Sequence, residues 1–448
     1  MTDTPLKIVH LVSGAGGMYC GSCMHAGTLA AALVRAGHDV TLLPLYTPLR
    51  TDEEDSSEHR LSYGGLNVYL QQRFALFRTS PRLLDRLLDR PGLVRWLSRW
   101  AGRTDARQLG ELTVSMLRGQ SGRQARELAK LLDRLSGESQ PDIVHLSNLL
   151  LAGLAGPIRS RLGVPVVVSL TGEDVFLEKL PEPHCSEACR QLRLCAGQVD
   201  AFVALNEYFA NRMAEYLAAD RARFEVIPAG LKLAGHAAEL GTGQLLPPQA
   251  GRSDFRIGYF SRVCPEKGLH LLADAFEQVV RRRPDCRLRL DAAGYLAAED
   301  RPYLKQIERR LSAPELAGRF RYLGSPDRKE KIAFLQSVDA VSLPAVFPES
   351  KGLACLEAWA NAKPVVVPRH GVFPELVEDT GGGILYDPGD PTALAEAITG
   401  LAADCDRAAA IGRRGLEAVR DRYHDALMAE RMARLYRRTA DQATGPRS

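Results

Sequence analysis

No stretch of the chain approaches the roughly 20 consecutive apolar residues that a bilayer-spanning helix needs, so the sequence offers no spanning segment. Excess charge of one sign is also lacking. The 448 residues carry 58 Lys+Arg against 54 Asp+Glu, a net +4, which by itself points to no nucleic-acid partner. Cysteine is sparse: nine residues in this length make no disulfide scaffold. Met1 to Lys7 runs straight into an apolar strand pattern without the features of a signal peptide, so reduced thiols and a cytoplasmic setting are the expectation. What is present is an ordinary globular balance, 45% hydrophobic and 25% charged, which excludes disorder of the whole chain. The length favours at least two domains.

The pattern along the chain is a repeated alternation of strand and helix. Lys7–Val12 is a short apolar run followed by a glycine loop, and a helical period over 27–36 ends at Gly37. Val40–Leu45 is the next strand, making a βαβ unit and hence a parallel sheet buried on both faces. Strands are expected at 142–146, 164–170, 201–205 and 224–228, with Asn206 as the N-cap of the helix after the third. Residues 235–251 hold four Gly and two Pro without periodicity and read as a linker. The alternation then restarts at Phe255–Phe260 and continues to Ile384–Tyr386, and 391–440 are helical by pattern. Two such arrays imply two doubly wound, Rossmann-like domains facing a cleft. The boundaries read from the sequence are a first domain over 1–234, the linker, a second domain over 252–420 and a C-terminal helix and tail over 421–448.

One segment breaks the rhythm. Residues 73–134 are helical by period and hold 14 Lys+Arg against 6 Asp+Glu, +8 locally, which leaves −4 for the rest of the chain. They read as a basic insertion in the first domain. Two readings stand side by side: contact with an anionic membrane surface or an anionic acceptor, and a solvated helical cap whose Leu and Trp side chains, Trp96 and Trp100 among them, pack on the domain.

The residues that carry chemistry cluster in the second half. Glu349 follows a strand, where open α/β sheets bind ligands, and Gly352 lets the backbone approach a ligand closely. The helix from about Leu353 aims free N–H groups the same way, a setting that suits phosphate. Glu357 lies about one turn inside it, and its carboxylate suits a vicinal diol such as ribose. Arg262 and Lys267 follow the first strand of the second domain and suit a diphosphate. For each motif the plain alternative is a solvated surface group. Their coincidence at strand ends of one domain argues against it.

Together these motifs resemble the retaining glycosyltransferases of family 4, of the GT-B fold. The resemblance rests on Glu349-x7-Glu357, Arg262…Lys267-Gly268, Ala362–Val367 with Pro374–Val377, Gly16-Gly17, Pro228-x-Gly230 and Gly389–Pro391. It covers nearly the whole chain and is strongest over 255–400. It implies transfer of a sugar from a nucleotide diphosphate sugar to a hydroxyl acceptor on a glycan, a lipid carrier or a small molecule. The donor would sit on the second domain and the acceptor on the first, with helices at the C-terminus crossing back to the first domain. It implies that Glu349 and the backbone of Gly352, Leu353 and Ala354 hold the donor sugar and that Glu357 holds the ribose. Arg262, Lys267, Gly16 and Gly17 would meet the diphosphate, and Tyr322 lies where the family holds the base. No metal or other cofactor is expected. A sugar-nucleotide epimerase of the same fold and a non-catalytic nucleotide-sugar-binding protein are the alternatives.

The chain departs from the family pattern at two places. Ser261 replaces the usual glycine before Arg262. Thr171-Gly-Glu173-Asp174 stands where the family has a histidine, so Glu173 or Asp174 is expected to serve instead, with Asp174 counted among the catalytic candidates. Cys20-x-x-Cys23 beside the glycine loop, with His184, Cys185, Cys189 and Cys195 farther on, is expected to be free thiols. A zinc site or a redox pair is the alternative. His10, His38 and His145 read as structural.

Overall fold

The computed structural model describes residues 4–13, 21–45, 106–239 and 254–444. Gly16, Gly17, Cys20, the 73–105 half of the basic segment and the linker from 240 to 251 lie outside the described residues. The chain divides into two compact units. One is Met1–Pro228 with Ala426–Ser448, the other Ala229–Asp425.

The first unit is built on a six-stranded parallel sheet. Its strands are β1 (Lys7–Val12), β2 (Asp39–Pro44), β3 (Ile143–Leu146), β4 (Val166–Ser169), β5 (Ala201–Ala204) and β6 (Phe224–Val226). Their order is β2-β1-β3-β4-β5-β6, all parallel, so the order reverses between β1 and β3. The strands read as continuous apolar runs because both faces are covered. Helix Gly21–Arg35 follows β1, starting earlier than its period suggested, and Gly37 turns the chain out of it with φ +90°. Asn206 caps the helix of the last crossover, between β5 and β6, as expected, its side chain accepting from the Phe209 N–H at 2.9 Å.

The described half of the basic segment is not an insertion. Helices Ala106–Leu117 and Ala125–Arg134 send Val114, Leu117, Leu128, Leu131 and Leu132 into the same core as Val9, Leu43, Val144 and Val166. Cations of this stretch pair with carboxylates, Arg118 with Glu187, Arg123 with Glu111 and Lys130 with Glu127. The sequence signal misled because arginine-rich and core-facing residues alternate on these helices: the helical period shows an apolar stripe but not what covers it. Within 106–134 that stripe is spent on the core.

The other face of the sheet is closed by the last helix, Asp425–Thr444. Met428, Met432, Leu435 and Tyr436 pack on Ile8, Leu29, Leu33, Val167 and Ile227. Under it lies a small polar network. His10 and His145 are cross-strand partners with rings stacked 4.2 Å apart. His145 bonds Ser169 Oγ at 2.8 Å through Nε2 and Tyr436 Oη at 2.7 Å through Nδ1. Both ring nitrogens of His10 are buried without a partner among the described residues.

The second unit carries β7 (Phe255–Phe260), β8 (Leu288–Ala293), β9 (Phe320–Tyr322), β10 (Ala340–Ser342), β11 (Val365–Pro368) and β12 (Gly383–Tyr386). The order β12-β11-β10-β7-β8-β9, all parallel, is the 3-2-1-4-5-6 order of dinucleotide-binding sheets, reversing between β7 and β10. The first unit ends at Pro228 rather than 234, and the linker does not begin at 235, because 229–239 is bound into the second unit. Arg328 donates to the carbonyls of Lys232 and Ala234, Arg420 to those of Ala237 and Ala238, and the Ala238 N–H to the Ala360 carbonyl. The chain leaves this unit beside where it enters, Leu231 bridging to His424.

The histidine network makes stability acid-sensitive. Burial, and then the neighbouring charge of His25, holds His10 down at about 3, and burial holds His145 well below its ordinary value. The unfolded chain takes up these protons near pH 6.5 and the folded chain does not, so protons favour unfolding below that pH. Full stability is expected above about pH 6.5, and each imidazole should remove about 1.4 kcal/mol per pH unit below it. Urea midpoints measured from pH 7.5 to 5 should fall accordingly, and His10→Phe should flatten the slope. A variant profile parallel to that of the native protein would contradict this account.

Candidate active site

The reversal of strand order between β7 and β10 sends the two following loops apart and leaves a crevice outside the C-terminal strand ends. Both motifs singled out in the sequence sit there. The loop after β7 passes Ser261 and Arg262, turns through Pro265–Lys267 and enters helix Leu269–Arg282 at Gly268. Gly268 has φ +76°, and a Cβ there would lie 1.8 Å from the Pro344 carbonyl oxygen. Only glycine lets this loop touch the loop after β10. The contact continues with the Val346 N–H donating to the Glu266 carbonyl at 2.9 Å.

The result is a direct ion pair between Lys267 Nζ and Glu349 Oε2. The ammonium also lies 4.8 Å from the centre of the Phe347 ring. Burial alone would raise the Glu349 pKa. The charges of Lys267 and Lys351, with hydrogen bonds from Lys267 and the Ser350 N–H, outweigh it and hold the carboxyl below its ordinary value. The backbone of Glu349 is clamped as well. Its carbonyl accepts from the Val372 N–H at 2.8 Å, and a Cβ on Gly371 would meet Glu349 N and O at 2.5 Å.

Gly352, φ +66°, starts helix Leu353–Trp359, with Leu353 and Ala354 in its first turn. Glu357, one turn in, is no solvated glutamate. Its Oε1 takes a hydrogen bond of 2.7 Å from Lys331 Nζ, and the two side chains are 8% and 5% exposed. Lys331, on helix Arg328–Ser337, was not legible as a site residue, since it looked like one more cation on an amphipathic helix. Asn361 Nδ2 holds the Glu357 carbonyl at 2.9 Å and also bonds His236 Nδ1.

Arg262 is exposed and forms no ion pair among the described residues. Its Nε donates to the buried Cys264 Sγ at 3.2 Å, and its carbonyl accepts from Tyr259 Oη at 2.8 Å. Tyr322 is not brought to Glu349. It ends the edge strand β9, and its hydroxyl donates to the Gly294 carbonyl at 2.7 Å. That bond fixes the loop after β8, where a Cβ on Gly294 would meet Ser261 O at 1.8 Å. Its hydroxyl thus serves the loop scaffold. A residue the sequence did not flag, His370, stands next to the Gly371 clamp. Its Nε2 bonds the Ala345 carbonyl at 3.1 Å and so carries the proton, while Nδ1 is buried without a partner.

In the first unit the Thr171–Asp174 turn follows β4 and is buried. Its two carboxylates have separate tasks. Glu173 folds back to accept from the Thr171 N–H at 2.8 Å and from Thr171 Oγ1 at 2.5 Å. Asp174 takes Arg212 Nε at 2.6 Å on Oδ2, and Arg212 reaches on to Glu178 at 3.0 Å. Arg212 comes from helix Glu207–Leu217, and nothing in the spacing linked it to Asp174.

Cys23 and the Cys185–Cys195 thiols lie on different helices, Cys185 and Cys189 being neighbours on theirs. Cys23 is buried against Val12 and Leu42. Cys189 Sγ lies 3.0 Å from Tyr216 Oη and Cys195 Sγ 3.2 Å from the Leu117 carbonyl. Burial pushes Cys195 up to about 11 and also raises Cys185, so both are protonated thiols at neutral pH. Among the described residues no three His, Cys, Asp or Glu side chains are grouped so as to hold a metal ion.

Sequence comparison matches residues 248–417 to the family described as glycosyl transferases group 1 and residues 21–230 to the glycosyl transferase 4-like domain. The GDP-mannose-dependent alpha-(1-6)-phosphatidylinositol monomannoside mannosyltransferase of Mycolicibacterium smegmatis is 28% identical over 326 residues, spanning 70% of this chain and 82% of that protein. The D-inositol 3-phosphate glycosyltransferase of Segniliparus rotundus is 30% identical, spanning 61% of each chain. Among solved structures, Anabaena HepE in complex with UDP aligns with a TM-score of 0.66 at 18% identity, over 97% of this chain and 100% of that one. Sucrose-phosphate synthase from Thermosynechococcus elongatus aligns at 0.70, also at 18% identity, over 97% of this chain and 100% of its own. At that identity the two structures speak to the fold.

The buried Lys331–Glu357 pair yields a stability test. Removing one partner leaves a buried charge unmatched, so Lys331→Met and Glu357→Met should each cost about 3–5 kcal/mol. The double variant should recover most of that loss, since both charges are then gone. Chemical denaturation of the three variants measures it. A double variant as unstable as the sum of the singles would show that the pair is not coupled.

Proposed function

With the chain a member of the glycosyl transferases group 1, a nucleotide-sugar-dependent glycosyltransferase of the GT-B fold, we propose that its second unit holds the donor at the β7/β10 crevice and that transfer retains the anomeric configuration. The observation that carries the donor assignment is the Lys267–Glu349 pair across that crevice. A carboxylate kept ionised beside an ammonium accepts hydrogen bonds from the hydroxyls of the donor sugar. The same ammonium and the Arg262 guanidinium face the diphosphate, whose charge grows as it leaves. These cations are fixed in advance, because the Gly268–Pro344 contact sets where the loop stands.

Glu357 is assigned to the ribose. Lys331 takes Oε1, and Oε2 is assigned to the two hydroxyls of the diol. Gly352, Leu353 and Ala354 contribute backbone N–H groups to the donor sugar. For Tyr322 the backbone remains the assigned contact to the base, since its hydroxyl is committed to Gly294. No metal is required by this scheme, in which Lys267 and Arg262 meet the diphosphate.

Relatives named for phosphatidylinositol and inositol phosphate acceptors support a polyol acceptor, free or lipid-linked. No described helix is long and apolar enough to cross a membrane. The described part of the basic segment lends no support to membrane contact, its apolar stripe being buried.

The test separates the two glutamates. Glu349→Gln should lower turnover by about 100-fold while nucleotide affinity stays within about twofold, because its part is played on the sugar. Glu357→Gln should weaken nucleotide binding by about tenfold. Donor binding followed by thermal shift and turnover followed by nucleoside diphosphate release read both. Unchanged values in both variants would remove the site from the second unit's crevice.

A further inference from the structure

Three buried polar atoms at the C-terminal edge of the first sheet have no partner among the described residues: Ser147 Oγ, Asn148 Oδ1 and Asp174 Oδ1. Their residues are 3%, 8% and 3% exposed. Buried polar atoms in folded proteins are nearly always bonded, so orphans that follow two neighbouring strands call for an explanation. Ser147 and Asn148 follow β3, next to the point where the strand order reverses between β1 and β3, and Asp174 lies beyond the end of the neighbouring β4. That is the position at which open α/β sheets take their ligands.

The orientations of two of the three are set. Asn148 Nδ2 donates to Ser13 Oγ at 3.0 Å, at the end of β1, which leaves Oδ1 as the unused atom. Arg212 holds Asp174 through Oδ2, which leaves Oδ1. Two of the orphans only accept hydrogen bonds, and the third, a hydroxyl, accepts as readily as it donates. A ligand that satisfies them must bring hydrogens. A phosphate or carboxylate brings more acceptors, and it would also meet the carboxylates of Glu173, Asp174 and Glu178, with Arg212 already committed to Asp174 and Glu178. Neighbouring hydroxyls on a ring fit.

We propose that Ser147, Asn148 and Asp174 form the acceptor subsite and bind the hydroxyls of a neutral polyhydroxylated ring, a sugar or a cyclitol. The proposal rests on the glycosyltransferase reading and adds the chemistry of the acceptor to it. Any phosphate or lipid carried by the acceptor is held elsewhere, and the ring hydroxyls are what this subsite recognises. Asp174, expected from the sequence as a stand-in for a histidine, acts here as a hydrogen-bond acceptor positioned by Arg212.

The experiment uses the full chain with myo-inositol, methyl α-mannoside and trehalose as probes, binding being read by saturation-transfer NMR in the presence of GDP or UDP. Ser147→Ala and Asn148→Ala are the variants. At least one neutral probe should bind, and each variant should weaken it by about 5- to 10-fold. Ser147→Ala should leave the unfolding midpoint unchanged, since its hydroxyl bonds nothing in the protein, which sets it apart from a structural serine. Binding of none of the probes, equal binding by both variants, or a preference for glycerol 3-phosphate and inorganic phosphate over the neutral rings would overturn the proposal. Failure of the donor reading shows separately, as the absence of any thermal shift with GDP, UDP or ADP in the native protein.

Discussion

The contact of Gly268 with the Pro344 carbonyl governs the crevice of the second unit. Two loops that leave the sheet on either side of its reversal point diverge by topology, and this approach draws them back together. It is possible only without a Cβ and with a positive φ, which is why a single glycine decides the geometry of two charged motifs. Lys267, one residue earlier, is thereby set against Glu349, and Glu349 is clamped from behind by Gly371 and the Val372 N–H. A preset cation beside a preset carboxylate costs no reorganisation when charge develops next to it.

The second constraint is that the buried charges of these sites come in pairs. Glu357 has Lys331, Glu349 has Lys267 and Asp174 has Arg212. Desolvating an ion costs several kcal/mol, and a partner at hydrogen-bond distance offsets much of that. Pairing also leaves atoms over. Lys331 takes one oxygen of Glu357 and Arg212 one oxygen of Asp174, so each cation leaves the other carboxylate oxygen unbonded to itself. The histidines under the last helix follow the opposite rule. With no carboxylate among their hydrogen-bond partners, they are held neutral by burial, and His145 is tied to Ser169 and Tyr436.

The two units spend similar sequence patterns differently. In the second, the expected motifs and the crevice coincide, and the strand order accounts for it. In the first, helices over 106–134 that looked like a charged addition fill the core, and the chain's last helix closes the opposite face of the sheet. Residues 229–239, which looked like the start of a linker, are tied down by arginine bonds to backbone carbonyls, a pairing that composition does not report.

The sequence by itself determined the alternating βα arrays, the caps at Gly37 and Asn206, and the placing of Glu349, Glu357, Arg262 and Lys267 at strand ends of one half. Hydrophobic period, turn chemistry and motif spacing are local, and they survive in the linear chain. Only the tertiary structure decided that Lys331 meets Glu357 across 26 residues, that Arg212 meets Asp174 across 38 and that Lys267 meets Glu349 across 82. It also decided which polar atoms near β3 and β4 were left unbonded. Pairing of charges and satisfaction of buried atoms depend on which side chains arrive from other elements. A residue's type states what it can bond, and the packing of the sheets states what it finds there.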